Sequence, residues 1–217
     1  MQVSRITQTK RGRWALFDEE GGFLFSLDGE TLLKNHIAEG SLLSAADLGE
    51  LRAQSETRKA KDKALAYLAL RDHAAGELYD KLCRKFDPQS SAAAVAEMQR
   101  LGMIDDEAFA RRRAAYLAGR SKSRREIEAH LLEKGIDRQT VGAVLEELQL
   151  DGSGACYAIV CKNYRSRLAR GEQDKVLAAL ARRGFSYREA RDAVERFQRE
   201  YDVGEGSGGD DNWEDLT

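Results

Sequence analysis

A pattern recurs along this chain at intervals of 49 residues. Leu78, Ile127 and Val176 share one register, Leu82, Leu131 and Leu180 a second, and Lys85, Lys134 and Arg183 a third. Gly135 and Gly184 fall in step, and Ala-Tyr-Leu-Ala occurs at Ala66–Ala69 and again at Ala115–Ala118. In each copy the two apolar positions lie four apart, on one face of a helix. A unit this small cannot bury its own apolar face and must stack on neighbours, so three copies predict an array rather than one closed core. An array presents a long surface, which suits a long partner.

The residues preceding the repeats read differently. Val3–Ile6, Trp14–Phe17 and Phe23–Phe25 alternate with the period of strands, and Gly12 and the stretch Asp18–Gly22 supply turns, so a three-strand meander is expected. Two short helices should follow, one near 29–36 capped by Asp28 and one from 45 to about 55 capped by Ser44 with Asp47 three residues on. The charged stretch Glu56–Lys63 reads as a linker or an early helical turn.

From Ala64 onward the pattern is helical. Expected helices cover 62–71, 75–85 and 88–101, the last with Asp87 as N-cap and Pro88 at the first helical position. The second copy opens at Asp105, Asp106 and Glu107, has capping-box spacing at Ser123 and Glu126, stops at Gly135 and restarts from Asp137. The third runs from 153, stops its middle helix at Gly184 and caps its last with Ser186 and Glu189. The fold class read from this is mainly α, with three tandem three-helix repeats behind a small β-rich module of a three-strand meander plus short helices. Expected boundaries are 1–57 for that module, 58–102, 103–150 and 151–201 for the repeats, and 202–217 for a disordered acidic tail.

The chain's formal charge of −2 hides an asymmetry. Residues 202–217 hold Asp202, Glu205, Asp210, Asp211, Glu214 and Asp215 with no Lys or Arg, which leaves 35 basic against 31 acidic residues before them. From Arg111 to Arg138 nine cations face four acids, and from Lys162 to Arg191 nine face three. The molecule therefore reads as a basic array with an acidic tail. A single proline, no apolar run of membrane length and no apolar signal core at the start predict a soluble, cytosolic chain off the membrane. Cys83, Cys156 and Cys161 lack framework spacing and read as reduced thiols.

No Gly-rich phosphate loop, nucleophile elbow or HExxH motif occurs, and His36, His73 and His130 stand far apart. Cys156 and Cys161 lack a second ligand pair, so no metal or cofactor is expected. His130 reads as an ordinary helix-surface residue. The chemistry left is a charged binding surface rather than an enzyme. Its candidate contacts are Arg111 on one helix; Arg120, Lys122, Arg124 and Arg125 at a turn; Lys162, Tyr164, Arg165, Arg167 and Arg170 on the first helix of the third copy; and Arg182, Arg183, Tyr187 and Arg188 near its last turn. Basic clusters interleaved with aromatics contact phosphates and stack on bases. Each cation singly is equally well read as a solvated face making i,i+4 pairs.

Ala64–Arg71, Glu77-Leu78 with Lys81-Leu82, Gly102–Asp106 with Phe109-Ala110, Leu131–Ile136 and Ala181–Tyr187 together resemble the RecX family of recombination regulators, in order, over roughly residues 60–200. The resemblance implies three three-helix units in a curved array and a non-enzymatic modulator of RecA nucleoprotein filaments on DNA; a monomer is expected. Such a modulator inhibits ATP hydrolysis, strand exchange and the coprotease reaction that feeds the SOS response. Two departures bear on the fold: Ala74 stands where the family has a Ser cap, so Asp72 or water must cap that helix, and Ser123 stands where a Gly often precedes the basic pair. The alternatives are a stand-alone nucleic-acid-binding helical module, which touches single- or double-stranded DNA directly, and a scaffold for some other acidic protein.

Overall fold

A computed structural model describes residues 1–10 and 12–206, with side chains described to Tyr201. The chain divides into two compact units, one spanning Met1–Asp105 and one beginning at Asp106.

The first unit opens with an antiparallel meander of β1 (Arg5–Gln8), β2 (Trp14–Phe17) and β3 (Phe23–Leu27), in the order β1-β2-β3. Leu16 faces Ile6 on one side and Phe25 on the other. The first strand sits two residues later than its alternation suggests. Val3 is fully buried, but its N–H donates to the Ser41 carbonyl and its carbonyl accepts from Gly40, so pairing to the 40–43 stretch claims it. α1 (Gly29–Lys34) is capped by Asp28, whose carboxylate accepts from the Thr31 N–H at 2.9 Å.

α2 (Ala45–Leu68) corrects the reading of this region. It is one helix of 24 residues, where a short helix, a linker or early helical turn, and a second helix were expected. Ser44 and Asp47 form a complete capping box at its start. The stretch 56–63 is its middle, where Glu56–Lys59 and Arg58–Asp62 pair along the surface. High charge without Pro or Gly is as compatible with a solvated helix as with a linker. Burial decides the case. Leu51 packs into the core beside the sheet with Val3, Leu16 and Leu27, and Ala60 and Ala64 pack into the core of the first repeat. One continuous helix therefore serves both cores.

α3 (Ala75–Cys83) and α4 (Pro88–Arg100) complete the first repeat around Leu78, Leu82, Ala94, Val95, Met98 and Ile104. Asp87 caps α4 by accepting from the Ser90 N–H at 2.8 Å. Ala74 gives α3 no side-chain cap. His73 just before it is buried. Its Nδ1–H donates to the Arg71 carbonyl (2.9 Å), and its Nε2 accepts from Lys81 (3.0 Å).

The second unit begins with α5 (Asp106–Ala118), α6 (Arg124–Glu133) and α7 (Arg138–Glu147), packed pairwise. α8 (Gly152–Asn163), the short α9 (Arg165–Ala169), α10 (Gln173–Arg182) and α11 (Tyr187–Gly206) follow. The third repeat thus carries a fourth, short helix. Tyr164 leaves helical geometry (φ −124°, ψ 1°) and splits the expected first helix in two, and the bend brings Leu168 into the core with Val160, Val176 and Phe185.

The 49-residue registers are the core positions. Leu78, Ile127, Val176, Leu82, Leu131 and Leu180 are all fully buried. The cation three residues after the second register ends its helix the same way each time: Lys85, Lys134 and Arg183 donate their backbone N–H to the carbonyls of Leu82, Leu131 and Leu180. In the later copies Gly135 (φ 79°) and Gly184 (φ 86°) follow, and Ile136 and Phe185 bond back five residues, which makes a left-handed helix stop. α11 runs through Gly206, so residues 202–206 continue a helix where the acidic tail was expected to begin. The remainder of that tail lies outside the described residues.

Candidate nucleic-acid interface

Two turns in the second unit build the strongest concentration of charge. Between α5 and α6 the chain must turn within the five residues 119–123. Ser121 takes the left-handed conformation (φ 55°) that a glycine usually fills at a helix C-terminus, while the Lys122 N–H bonds back to the Leu117 carbonyl at 3.2 Å. This residue sits between Arg120 and Lys122, and both cations line one recess. Ser123 then starts α6. Its Oγ accepts from the Glu126 N–H (3.2 Å), but the Glu126 carboxylate bonds Lys122 instead of returning to the cap. The expected capping box is therefore half formed.

The second turn joins α10 to α11. Ser123 Oγ donates to the Arg183 carbonyl at 2.7 Å, a contact between residues 60 apart in sequence. Gly184 lies against it. A Cβ at Gly184 would stand 2.7 Å from Ser123 Oγ and 3.1 Å from Arg125 Cβ, so only a glycine lets the two turns meet this closely. The serine at 123 thus ties the second repeat to the third, beyond its role as a cap.

Around this seam lie two adjoining recesses of about 590 and 650 Å³ that share Lys122, Glu126 and Arg183. Arg120 and Lys162 line the first, Arg125 and Arg182 the second. Six cations therefore converge on one carboxylate, Glu126, which is already bound to Lys122. Arg125, Lys162 and Arg182 form no ion pair among the described residues. Such a cleft concentrates positive potential and draws in polyanions.

The remaining candidates lie elsewhere or are occupied. Arg111 is held by Glu107 and by Glu147 (2.9 Å), and the hydrogen bond to Glu147 raises its affinity for its proton further. Arg124 donates to the Leu145 carbonyl at 3.1 Å near the end of α7 and lines a third recess, with Ser121, Lys122 and Leu148. The expectation that Lys162, Arg165, Arg167 and Arg170 decorate one helix is corrected. Lys162 is on α8, Arg165 and Arg167 are on α9, and Arg170 follows α9 and pairs with Glu172 (3.1 Å). Arg167 lies over the Tyr164 ring at 6.0 Å. Tyr187 is exposed, and Arg188 reaches Asp192 at 3.8 Å.

Sequence reasoning missed Tyr116. Its half-exposed ring carries Arg120 at 4.8 Å and Arg113 at 5.2 Å. Arg113 also donates to His130 Nε2 at 2.9 Å, which gives that histidine a structural partner. The alignment of Tyr116 with Tyr67 across repeats was the available signal. Ser121 offered none, because a strained serine looks like any other polar turn residue.

Burial pushes the Cys156 thiol up to about 12, so it is a packing residue, not a nucleophile. Among the described residues no group of three His, Cys, Asp or Glu is placed to hold a metal ion, and no helix is long and apolar enough to cross a membrane.

The described residues define a protein built of three-helix domains with a basic seam, and the comparisons with known proteins specify its family. Residues 60–98 match the first three-helix domain of RecX and residues 105–145 the second. A protein of Chlorobaculum tepidum named regulatory protein RecX is 32% identical over 145 residues, covering 65% of this chain and 89% of the relative. One of the same name from Listeria monocytogenes is 26% identical over 211 residues, covering 94% of this chain and 78% of the relative. A crystal structure of regulatory protein RecX superposes with a TM-score of 0.67 at 20% identity, over 88% of this chain and 97% of that one. The structure of RecX from Lactobacillus salivarius gives 0.55 at 22%, over 68% and 97%. The chain belongs to the RecX family.

Proposed function

We propose that this protein is a non-enzymatic negative regulator of RecA that binds the RecA–DNA filament and inhibits its ATPase, strand-exchange and coprotease activities. Family membership supplies the regulatory role. The observation that carries the mode of action is the six-cation cleft between the second and third repeats. A nucleoprotein filament presents acidic surface and DNA phosphates in a repeating groove, and an unneutralised basic cleft gains affinity by releasing counterions from such a partner. A modulator that blocks or caps a filament acts on many subunits at once, so inhibition well below one molecule per RecA follows from this mode.

The test is ATP hydrolysis by preformed RecA filaments on single-stranded DNA, titrated with the protein and with the triple variant Arg125→Glu, Lys162→Glu, Arg182→Glu. Substoichiometric inhibition by the parent and its loss in a variant of unchanged helicity are expected. Full inhibition by the folded variant would remove the cleft from the mechanism. The second reading, direct binding to naked DNA, is favoured by the same cleft and by Tyr116 beside Arg120. Engagement of about four to six phosphates predicts a logarithmic salt slope of about −3 to −4 on single strands.

A further inference from the structure

The cleft's third wall is α8, and α8 has a second flank. There the Tyr157 hydroxyl donates to the Glu200 carboxylate, Arg196 lies 4.0 Å over the Tyr157 ring, and Arg196 also bonds Glu200 at 2.9 Å. One turn earlier the start of α8 meets the start of α11: a Cβ on Gly152 would collide with the Glu189 carboxylate. Glu189 beside Gly152 and Glu200 beside Tyr157 show that α8 and α11 run in the same direction. The far end of α11 therefore lies toward the Lys162 end of α8, where Ala158, Ile159 and Lys162 line the cleft.

From Glu200 to Gly206 the helix advances about 9 Å. Residues 207–217 beyond it span at most about 36–40 Å when extended. One helix diameter, about 10 Å, separates the two flanks of α8. The segment is long enough to cross α8 and enter the cleft. It holds Asp210, Asp211, Glu214 and Asp215 with no cation, and Trp213 stands among them. Its four carboxylates are opposite in sign to a cleft that holds Arg120, Lys122, Arg125, Lys162, Arg182 and Arg183 against Glu126 alone, and the indole can lie on a guanidinium.

We propose that the acidic segment 207–217 is an intramolecular ligand of the basic cleft, occupying it when no polyanion is present and competing with the partner. The proposal rests on the reading that this cleft is the polyanion-binding surface. A tethered ligand acts at an effective concentration in the millimolar range, so even a weak contact is populated, and a partner must displace it. The acidic segment then sets a threshold: densely charged polyanions displace it, and sparsely charged surfaces do not.

The test uses the full chain and needs no partner for its first arm. Trp213 is one of two tryptophans, so its emission is isolated by subtracting the spectrum of Trp213→Phe. Anisotropy of that difference signal is expected to be high at low salt, to fall at 1 M NaCl, and to be low at all salt concentrations in the triple cleft variant. In the second arm, neutralising the segment (D210N, D211N, E214Q, D215N) is expected to tighten binding to a fluorescein-labelled oligothymidylate at low salt by about fivefold, from removal of the tethered competitor. Anisotropy independent of both salt and the cleft charges would overturn the proposal. A salt- and cleft-dependent Trp213 signal in a protein that leaves RecA filaments and DNA untouched would uphold it and sink the function proposed above. The converse pair of results would sink the internal ligand alone.

Discussion

In the first unit Arg71 lays both terminal nitrogens on Glu77 at 2.8 and 3.0 Å, Arg13 reaches Ser26 and Ser55, and Arg100 holds Glu97 at 2.8 Å. In the second, Arg125, Lys162 and Arg182 surround a cleft whose one carboxylate belongs to Lys122. Both units are rich in cations. In the first unit these three arginines close internal contacts, and in the second the seam between repeats collects three cations that no internal acid matches. A local excess of charge is therefore set by which turns meet and not by how many arginines a stretch contains.

The largest expected effects test whether the two units share one construction. Leu82 and Leu131 hold the same register and are fully buried. Leu82→Ala and Leu131→Ala should each cost about 2–5 kcal/mol, read by urea denaturation, because each removes buried methyl groups and leaves a cavity. A cost below about 1 kcal/mol at either would break the equivalence of the repeats.

The next pair separates backbone strain from contact. Gly102 in the first unit and Gly184 in the second both have left-handed φ, 67° and 86°. A Cβ on Gly102 meets nothing within 4 Å, whereas on Gly184 it meets Ser123 Oγ at 2.7 Å. Gly102→Ala should cost about 1 kcal/mol from backbone strain alone. Gly184→Ala should cost measurably more and also weaken filament inhibition, since it forces the two cationic turns apart. Equal costs would show that the seam has room to give.

A pH titration sharpens the contrast in a different way. Burial, together with Arg71 and Lys81 nearby, holds the His73 pKa below its usual 6.5, although the bond to the Arg71 carbonyl opposes this. The unfolded chain therefore binds a proton there that the folded chain resists. Stability at this site is full above pH 6.5 and falls as the pH drops through that value. His73→Gln should flatten the pH dependence of the first unit's unfolding between about pH 5 and 7. A slope unchanged in that variant would reassign the effect.

The smallest effect belongs to Ser121. Replacing a left-handed serine by glycine relieves backbone strain, so Ser121→Gly should raise stability by about 1 kcal/mol or less. It should also loosen the aim of Arg120 and Lys122 and reduce inhibition slightly. A stability gain with unchanged inhibition would show that the turn's strain has no role in the cleft.

Much of the fold was legible. The 49-residue registers named the core positions because apolar spacing at i and i+4 is written in the sequence and burial simply follows it. Asp28, Ser44, Asp87, Asp137 and Ser186 announced helix starts because a cap bonds only three residues away. Less of the candidate site was legible. Composition marked the second unit as basic and named all six cleft cations, but it named Arg111, Arg124 and Arg170 with equal force, and these are tied to Glu147, Leu145 and Glu172. The sequence by itself determined the helices, their caps, the repeated core and the charge of each stretch, all governed by neighbours within a turn or two. The tertiary structure alone decided that α2 is continuous, that α8 breaks at Tyr164, and that Ser123 meets Arg183 across 60 residues, because each depends on which distant surface is there to be buried or bonded.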